Sequence, residues 1–174
     1  INWFDNRTMF QKRMLITRTS SQSNTLARSL ESHGVIPLEV PTIEIRPLCD
    51  YSIFDDLIKK VSDYDWVVFS STNAVDVVFD RLAKLKMDSR AFANVQVACI
   101  GPSTAKTLRT QGITADLVPE TAISESLLDA FSSIDLKDKN VLLPKADIGR
   151  DTLNVGLADL GANIKNVVVY RTVK

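Results

Sequence analysis

The fold is indicated most clearly by residues 66–82, which read WVVFSSTNAVDVVFDRL. The first four residues are bulky and apolar without alternation, which is typical of a strand buried on both faces. The next four are polar, and the apolar residues Val75, Val78, Phe79 and Leu82 then recur at the spacing of one helix face. The stretch therefore predicts a buried strand, a polar turn and an amphipathic helix.

Four more apolar runs have the same character, and amphipathic helical periods separate them. Strands that alternate with helices in this way predict an α/β fold, with a mostly parallel sheet covered by helices. Glycine follows three of the predicted helices, where a helix commonly ends in a left-handed residue. These glycines are Gly34, Gly112 and Gly161. The four runs comprise residues 14–16, 97–100, 141–143 and 167–170.

Proline marks residues 36–47 as a separate segment, because Pro37, Pro41 and Pro47 lie there among extended apolar residues. Proline has no N–H to donate to a strand ladder, so the segment predicts an edge strand or a linker. We expect it to lead the chain out of a first βα unit at residues 14–35.

The composition is that of an ordinary folded chain of 174 residues, with 45% apolar and 24% charged residues. Lys and Arg number 21, as do Asp and Glu, which argues against a broad nucleic-acid-binding surface. Cys49 and Cys99 form no metal motif, and His33, the single histidine, is expected to face solvent at a helix end. No apolar run reaches 18 residues and no signal-peptide core is present, so the sequence predicts a cytoplasmic protein.

Four predicted strand-to-helix turns are rich in hydroxyl groups, and two of them also carry cations. In parallel α/β sheets, ligands bind beyond the carboxyl ends of the strands, where these turns lie. Each turn precedes a helix and offers free backbone N–H groups, so together they predict a site for an acidic ligand. The alternative is that their Ser, Thr and Asn side chains are only helix caps. The turns comprise residues 17–21, 70–73, 101–104 and 144–150.

Several common motifs are missing from the sequence. It has neither a G-x-x-x-x-G-K-[ST] nor a G-x-G-x-x-G loop, which are the usual nucleotide-binding signatures. Arg18 and Ser71 stand where a receiver domain needs acidic residues, and the first turn lacks the glycine of a flavin loop. No paired nucleophile and base is evident, so general hydrolysis is not favoured. The pattern favours a reaction that depends on binding and shape.

Six stretches of the chain resemble uroporphyrinogen-III synthase, in the order in which that family has them. They span nearly the whole sequence. They are LITRT at 15–19, VPTIEI at 40–45, YDWVVFSSTNAV at 64–75, IGPSTA at 100–105, LLPK at 142–145 and VYRT at 169–172.

The resemblance implies the cyclisation of hydroxymethylbilane, a linear tetrapyrrole with eight carboxylates, to uroporphyrinogen III. The reaction loses water and inverts the last pyrrole ring, and the family uses no metal or organic cofactor. It serves tetrapyrrole biosynthesis, which leads to haem, sirohaem and cobalamin. The implied partner is therefore an acidic small molecule, and neither a nucleic acid nor a membrane is expected.

The resemblance also implies a fold of two flavodoxin-like, parallel-sheet domains, with the second domain complete and the first partial. We expect the family's C-terminal half-domain to be missing, so that the chain alone has little or no activity. The partial domain is expected to expose apolar surface and to pair two copies into a homodimer. The expected divisions are an N-terminal linker at 1–13, a first βα unit at 14–35, a crossover at 36–47, domain two at 43–168 and a return crossover at 169–174.

The first seven residues, Ile1 to Arg7, resemble the junction that precedes the synthase in fusions with uroporphyrinogen-III C-methyltransferase. The chain is therefore expected to come from such a bifunctional protein. One alternative function is that of an interaction domain of the methyltransferase fusion. Another is a flavodoxin-like module that binds an acidic small molecule without chemistry.

The resemblance assigns candidate site residues by position. Tyr170 and Thr104 are the catalytic candidates, and a phenol can help the substrate hydroxyl to leave by donating a hydrogen bond or proton. The alternative for Tyr170 is an aromatic residue that covers the core at a strand end. Lys145 stands where arginine is expected, and it keeps the charge but loses the bidentate fork. The substrate-binding candidates are Arg18, Ser71, Asn73, Gly101, Ser103, Lys145 and Arg150.

Overall fold

Two units make up the computed structural model, which describes residues 7–173. The first unit comprises residues 7–46 together with 172–173, and the second comprises residues 47–171. Residues 1–6 of the expected fusion junction lie outside the described residues. Over residues 7–173 the structure has no helix that is both long and apolar enough to cross a membrane.

The first unit contains strand β1 (Arg13–Ile16), helix α1 (Ser20–Ser32) and strand β2 (Ile36–Glu39). The two strands form a small parallel sheet of their own. With one helix and two short strands, this unit leaves Leu15, Ile36 and Leu38 exposed. Strand β3 (Glu44–Pro47) then carries the chain into the second unit.

The second unit alternates strands with helices, as the sequence predicts. Two single turns of 3₁₀-helix, at Val61–Asp63 and Ser89–Phe92, connect these elements. The helices and strands are α2 (Ser52–Ile58), β4 (Trp66–Phe69), α3 (Thr72–Lys84), β5 (Gln96–Cys99), α4 (Pro102–Thr110), α5 (Ser124–Phe131), β6 (Asn140–Ala146), α6 (Thr152–Asp159) and β7 (Asn163–Val173).

The main sheet has the strand order β3-β7-β6-β4-β5. The pairs β4/β5, β4/β6 and β6/β7 are all parallel. Strand β4 is buried along its whole length, as expected for a central strand with helices on both faces. The predicted α/β fold with a mostly parallel sheet is confirmed.

The core of the second unit packs apolar strand residues against helices α5 and α6. The Trp66 ring meets the Phe131 ring edge to face, with centroids 5.0 Å apart, a favoured aromatic geometry. Leu127 of α5 and Leu157 of α6 are fully buried in the same cluster. On the other face, Val75, Val78 and Leu82 of α3 are buried, which confirms the helical period read from residues 66–82.

Three helix ends follow the predicted glycine pattern. Gly34, Gly112 and Gly161 have φ angles of +87°, +84° and +91°, which lie in the left-handed region. His33 is the C-cap of α1 and is exposed, as predicted. Helix α2 was not predicted from the sequence, because its seven residues are too short to show a clear helical period.

Candidate functional site

A cavity of about 240 Å³ opens in the second unit at the carboxyl ends of strands β4, β5 and β6. Its lining combines apolar side chains with hydroxyl groups and two cations. Helices α3, α5 and α6 begin at the same edge, so the positive ends of their dipoles lie at this edge. The described lining consists of Ser70, Ser71, Ile100, Ser124, Leu143, Lys145, Ala146, Ile148, Gly149, Arg150, Leu153 and Tyr170.

Two hydroxyl groups that are 99 residues apart in the sequence meet at this cavity. Ser71 Oγ and Tyr170 Oη lie 3.0 Å apart, within hydrogen-bond distance. Ser71 is also the N-cap of α3, where its Oγ accepts the backbone N–H of Ala74 at 3.1 Å. Because the cap orients the serine hydroxyl, the largely buried phenol of Tyr170 has a fixed partner at the cavity wall.

An irregularity in strand pairing brings Tyr170 to this position. Lys145 of β6 pairs with Val168 of β7, but the next residue, Ala146, pairs with Tyr170, so that Val169 is skipped. Successive residues of a regular strand alternate between the faces of the sheet, and one extra residue resets that alternation. The bulge therefore decides on which face the phenol lies.

The cations of the cavity come from β6 and the loop after it. Lys145 Nζ donates to Asp151 Oδ1 at 2.8 Å, and the side chains are 23% and 66% exposed respectively. Arg150 is exposed and forms no ion pair with any described residue. An ion pair with a solvated carboxylate is worth little, so a better-placed ligand carboxylate can replace Asp151 on the lysine.

Ser124, the first residue of α5, adds a hydroxyl to the lining, and the sequence analysis missed it. The apolar period of Leu127, Leu128 and Phe131 identified the helix but not its beginning. The available signal was Ser124 followed by Glu125 just before that period, a pair typical of a first helical turn.

The structure places five of the predicted site residues outside the lining of this cavity. Thr104 is buried within α4, and Gly101 is buried at the N-cap of that helix. Asn73 is half-buried in the first turn of α3, Ser103 is exposed, and Arg18 is exposed in the first unit. The predicted residues that do line the cavity are Ser71, Lys145, Arg150 and Tyr170.

Gly101 is held against the loop that leads to α5. A Cβ atom at this position would lie 2.4 Å from the Cβ and 3.1 Å from the Cα of Ala122. Pro102 follows as the first helical residue of α4, where its missing N–H costs nothing. This close approach sets the position of the chain two residues before Ser124.

Burial removes one potential nucleophile at the end of β5. Cys99 is fully buried, and burial raises the pKa of its thiol to about 12. The thiol therefore stays protonated near neutral pH, and the thiol form is a poor nucleophile. The described cavity lining has no His, Cys, Asp or Glu, so its chemistry is that of hydroxyl, ammonium and guanidinium groups.

The fold and the cavity together define an α/β protein with a polar, cation-bearing site at the carboxyl edge of a parallel sheet. The family model described as "Uroporphyrinogen-III synthase HemD" matches residues 24–174. The chain therefore belongs to the uroporphyrinogen-III synthase family.

Curated proteins with names from the same family match most of this chain. A uroporphyrinogen-III synthase of Synechococcus elongatus is 33% identical over 162 residues, which are 92% of this chain and 61% of that protein. A uroporphyrinogen-III synthase of Proteus mirabilis is 30% identical, over 91% of this chain and 79% of that protein. The match to the porphyrin biosynthesis protein HemD of Ruminiclostridium josui, at 28% identity, covers 98% of this chain and 34% of that protein. The chain thus spans about three-fifths of the Synechococcus protein.

Solved structures have the same fold. A uroporphyrinogen III synthase mutant from Thermus thermophilus superposes with a TM-score of 0.68 at 17% identity, covering 93% of this chain and 63% of that one. The Helicobacter pylori uroporphyrinogen-III synthetase gives a TM-score of 0.53 at 18% identity, covering 94% of this chain and 62% of that one. At these identities, the likeness supports the α/β fold alone.

Proposed function

We propose that this protein is a uroporphyrinogen-III synthase, which cyclises hydroxymethylbilane with loss of water and inversion of the last pyrrole ring. The observation that carries the proposal is the hydrogen-bonded pair of Ser71 and Tyr170 at a cavity that also holds Lys145 and Arg150. A proton donor beside cations is what a substrate with a leaving hydroxyl and many carboxylates requires.

Tyr170 is proposed to assist departure of the substrate hydroxyl. The phenol donates a hydrogen bond or proton to that oxygen, the carbon–oxygen bond breaks, and water leaves from a ring that becomes cationic. The phenol is largely buried and Ser71 holds it, so little reorganisation is needed when the bond breaks. For inversion, the cationic carbon bonds the last ring at the carbon that already carries its bridge. That bridge bond then breaks and re-forms at the free α-carbon of the same ring, and loss of one proton there restores uncharged pyrrole rings.

Lys145 and Arg150 are proposed to hold carboxylates of the substrate, with Ser70 and Ser124 as hydroxyl partners. The cavity of about 240 Å³ is smaller than the roughly 300–1,000 Å³ typical of sites for drug-sized ligands. It is therefore proposed to receive one pyrrole ring with its acidic side chains, while the rest of the tetrapyrrole lies outside. Holding the reacting ring in one orientation is how such a site selects the inverted product.

The isomer ratio of the product tests this function. Hydroxymethylbilane closes unaided to the type I isomer, so the chain is incubated with it, and the oxidised type I and type III porphyrins are separated. Type III in excess supports the synthase. The assay is run on the 174-residue chain and on the longest reading frame that contains it. Type I alone from both proteins overturns the proposal and favours a binding module without chemistry.

Tyr170→Phe tests the residue that the proposal needs most. The variant should fold normally, because the ring that fills the core is kept, and type III formation should fall by about 100-fold, within the range for one acid–base group. Tyr64→Phe is the matched control, since it removes a phenol that does not line the cavity. Equal turnover of Tyr170→Phe and the wild type would remove Tyr170 from catalysis.

The other site residues predicted by resemblance have less support. Thr104 is proposed as a second catalytic residue, and Arg18, Asn73, Gly101 and Ser103 as substrate contacts, on the strength of their positions in the matching motifs. Single alanine variants at Arg18, Asn73, Ser103 and Thr104 assign these roles if KM or kcat changes while the free energy of unfolding does not. At Gly101, where alanine alone would clash with Ala122, the double variant Gly101→Ala/Ala122→Gly takes the place of the single one.

The predicted domain division also remains a proposal. Its support is the exposure of Leu15, Ile36 and Leu38 in a unit with only two short strands paired together. A homodimer through this unit, a fused methyltransferase and a cytoplasmic location stay predictions. Sedimentation velocity of the chain tests the dimer, because a monomer at all concentrations would contradict it.

A further inference from the structure

Tyr51, a residue outside the cavity lining, contacts the backbone at the bulge that presents Tyr170. Its phenol Oη donates to the carbonyl oxygen of Val169 at 3.0 Å and accepts the backbone N–H of Leu48 at 3.2 Å. Val169 is the residue that the pairing of β6 with β7 skips. We propose that Tyr51 is a positioning residue of the synthase, which fixes the orientation of Tyr170 through this carbonyl; the inference rests on the proposed function.

The geometry of the peptide groups explains how one hydrogen bond can orient a side chain. The Val169 carbonyl belongs to the peptide unit that enters Tyr170, and the Tyr170 carbonyl belongs to the unit that leaves it. The second carbonyl accepts the backbone N–H of Asp147 at 3.1 Å. Both planes that flank the Tyr170 Cα are therefore held, and together they fix the direction of its Cα–Cβ bond.

The bulge explains why the Tyr51 hydroxyl is needed to hold the Val169 carbonyl in place. A regular ladder with β6 would orient Tyr170 through continuous backbone pairing, but the skipped residue interrupts that ladder one residue before Tyr170. A buried carbonyl without a partner is costly, and the backbone can relieve that cost by rotating. With the Tyr51 hydroxyl in place, the bulge keeps one conformation.

Tyr51 is itself held rigidly. The Arg81 guanidinium lies 4.7 Å from the centre of the Tyr51 ring, a cation–π distance, and Arg81 Nε donates to Asp55 Oδ1 at 2.9 Å. The side chains of Arg81 and Asp55 are only 19% and 15% exposed. The Phe54 ring packs edge to face on Tyr51, with centroids 6.5 Å apart. The Tyr51 hydroxyl is therefore fixed in place and can hold the Val169 carbonyl in one orientation.

The test removes the hydroxyl and keeps the ring. Tyr51→Phe retains the contacts with Arg81 and Phe54, and Tyr64→Phe is the matched control at a phenol remote from the bulge. The chain has three tyrosines, so carbon-13 at the Cζ position gives one resonance for each. In Tyr51→Phe the Tyr170 resonance should shift or split, whereas in Tyr64→Phe it should stay where it is in the wild type.

Steady-state kinetics provide the second measurement. They are made on whichever protein, the 174-residue chain or the longer reading frame, forms type III porphyrin. Tyr51→Phe should lower kcat about tenfold with KM within twofold, because it disturbs the reacting group and not the carboxylate contacts. Because Tyr51 acts through Tyr170, the double variant Tyr51→Phe/Tyr170→Phe should be no slower than Tyr170→Phe alone.

The outcomes separate the two proposals. A Tyr170 resonance that moves no more in Tyr51→Phe than in Tyr64→Phe overturns the positioning role, whatever the activity. An additive loss of kcat in the double variant overturns it as well. If no protein forms type III, the proposed function fails, and the resonance alone decides whether Tyr51 orients Tyr170.

Discussion

The Tyr170 phenol lies 3.0 Å from the Ser71 hydroxyl, which also caps α3. Ser71 therefore has two roles, one in capping the helix and one in holding the phenol. Its oxygen accepts the Ala74 N–H that would otherwise lack a partner, and the same oxygen fixes the phenol at the cavity. Stability and activity are consequently expected to change together at this position.

Ser71→Ala should lower the free energy of unfolding by about 1 kcal/mol, the usual cost of losing a serine N-cap. Type III formation should fall as well, because the phenol loses its partner. Ser71→Thr keeps a hydroxyl and a cap and should recover both properties. Urea titration and the isomer assay measure the two effects, with Ser62→Ala as a control at an exposed serine remote from the cavity. A loss of stability with full activity would show that the cap is the only role of Ser71.

Lys145 and Asp151 should affect substrate affinity in opposite directions. Lys145→Met removes a charge-assisted hydrogen bond worth at least ~1.5 kcal/mol, so KM should rise about tenfold or more. Asp151→Asn removes the negative charge 2.8 Å from the ammonium, so it weakens the competing contact and should lower KM, while asparagine is still tolerated at a helix N-cap. Steady-state kinetics at two salt concentrations measure both changes.

Lys137→Met is the control for the lysine variant, since it removes the same charge at an exposed position outside the cavity. An equal rise of KM in Lys137→Met and Lys145→Met would mean that net charge, and not a contact at the cavity, governs affinity.

The sequence predicted the parts of the site that depend on local pattern. Residues 66–82 carry a buried strand, a capped turn and a helix face in one continuous stretch, so β4, Ser71 and α3 followed directly. The rule that parallel strands expose their carboxyl ends at one edge then placed the turns at 70–73 and 144–150 together. The cavity at that edge is lined by residues of both turns.

The parts of the site that depend on strand pairing and tertiary packing were not predictable from the sequence. Four consecutive apolar residues, 167–170, read as a regular strand, and nothing in them marks Val169 as the skipped residue. Tyr51 was missed because its hydroxyl acts on a carbonyl 118 residues away. Thr104 shares a motif with Gly101, yet it is buried within α4 away from the cavity lining. Register and burial of this kind arise from tertiary packing, which a linear pattern does not contain.

Asp65, at the opposite edge of the sheet, should make the stability of the protein depend on pH. The Lys139 ammonium, which donates to Oδ1 at 2.9 Å, and the backbone N–H of Asn140 lower the pKa of this carboxyl. A lowered pKa in the folded state stabilises the protein above the unfolded value of about 3.9, and that contribution is lost as pH falls through the folded pKa.

Asp65→Asn should therefore be less stable than the wild type at pH 7, and the difference should begin to shrink at about pH 4 and vanish only below the lowered pKa of the folded state. Thermal unfolding across the pH range measures it. Lys139→Met should remove most of the pH-dependent stability that Asp65 contributes, because it removes the largest cause of the lowered pKa of Asp65. A gap between wild type and Asp65→Asn that is constant from pH 7 to pH 2 would contradict this origin.

Gly101→Ala should destabilise the second unit for a steric reason. The new Cβ would meet the Ala122 Cβ at 2.4 Å, and neither atom can rotate away, so the backbone must move. Overpacking of this kind costs about 1–3 kcal/mol. Because Ala122 lies two residues before Ser124, the movement should also widen the cavity and raise KM.

Two further variants isolate the clash at Gly101. Gly149→Ala adds the same methyl group in the cavity loop, where no atom lies within 4 Å, and it should leave the free energy of unfolding unchanged. Ala122→Gly combined with Gly101→Ala removes the facing Cβ and should restore most of the lost stability, apart from the flexibility that the new glycine adds. Urea titrations of the three variants measure these changes. If the double variant is no more stable than Gly101→Ala alone, the contact with Ala122 is not the cause, and the close packing between α4 and the loop before α5 does not set the position of Ser124.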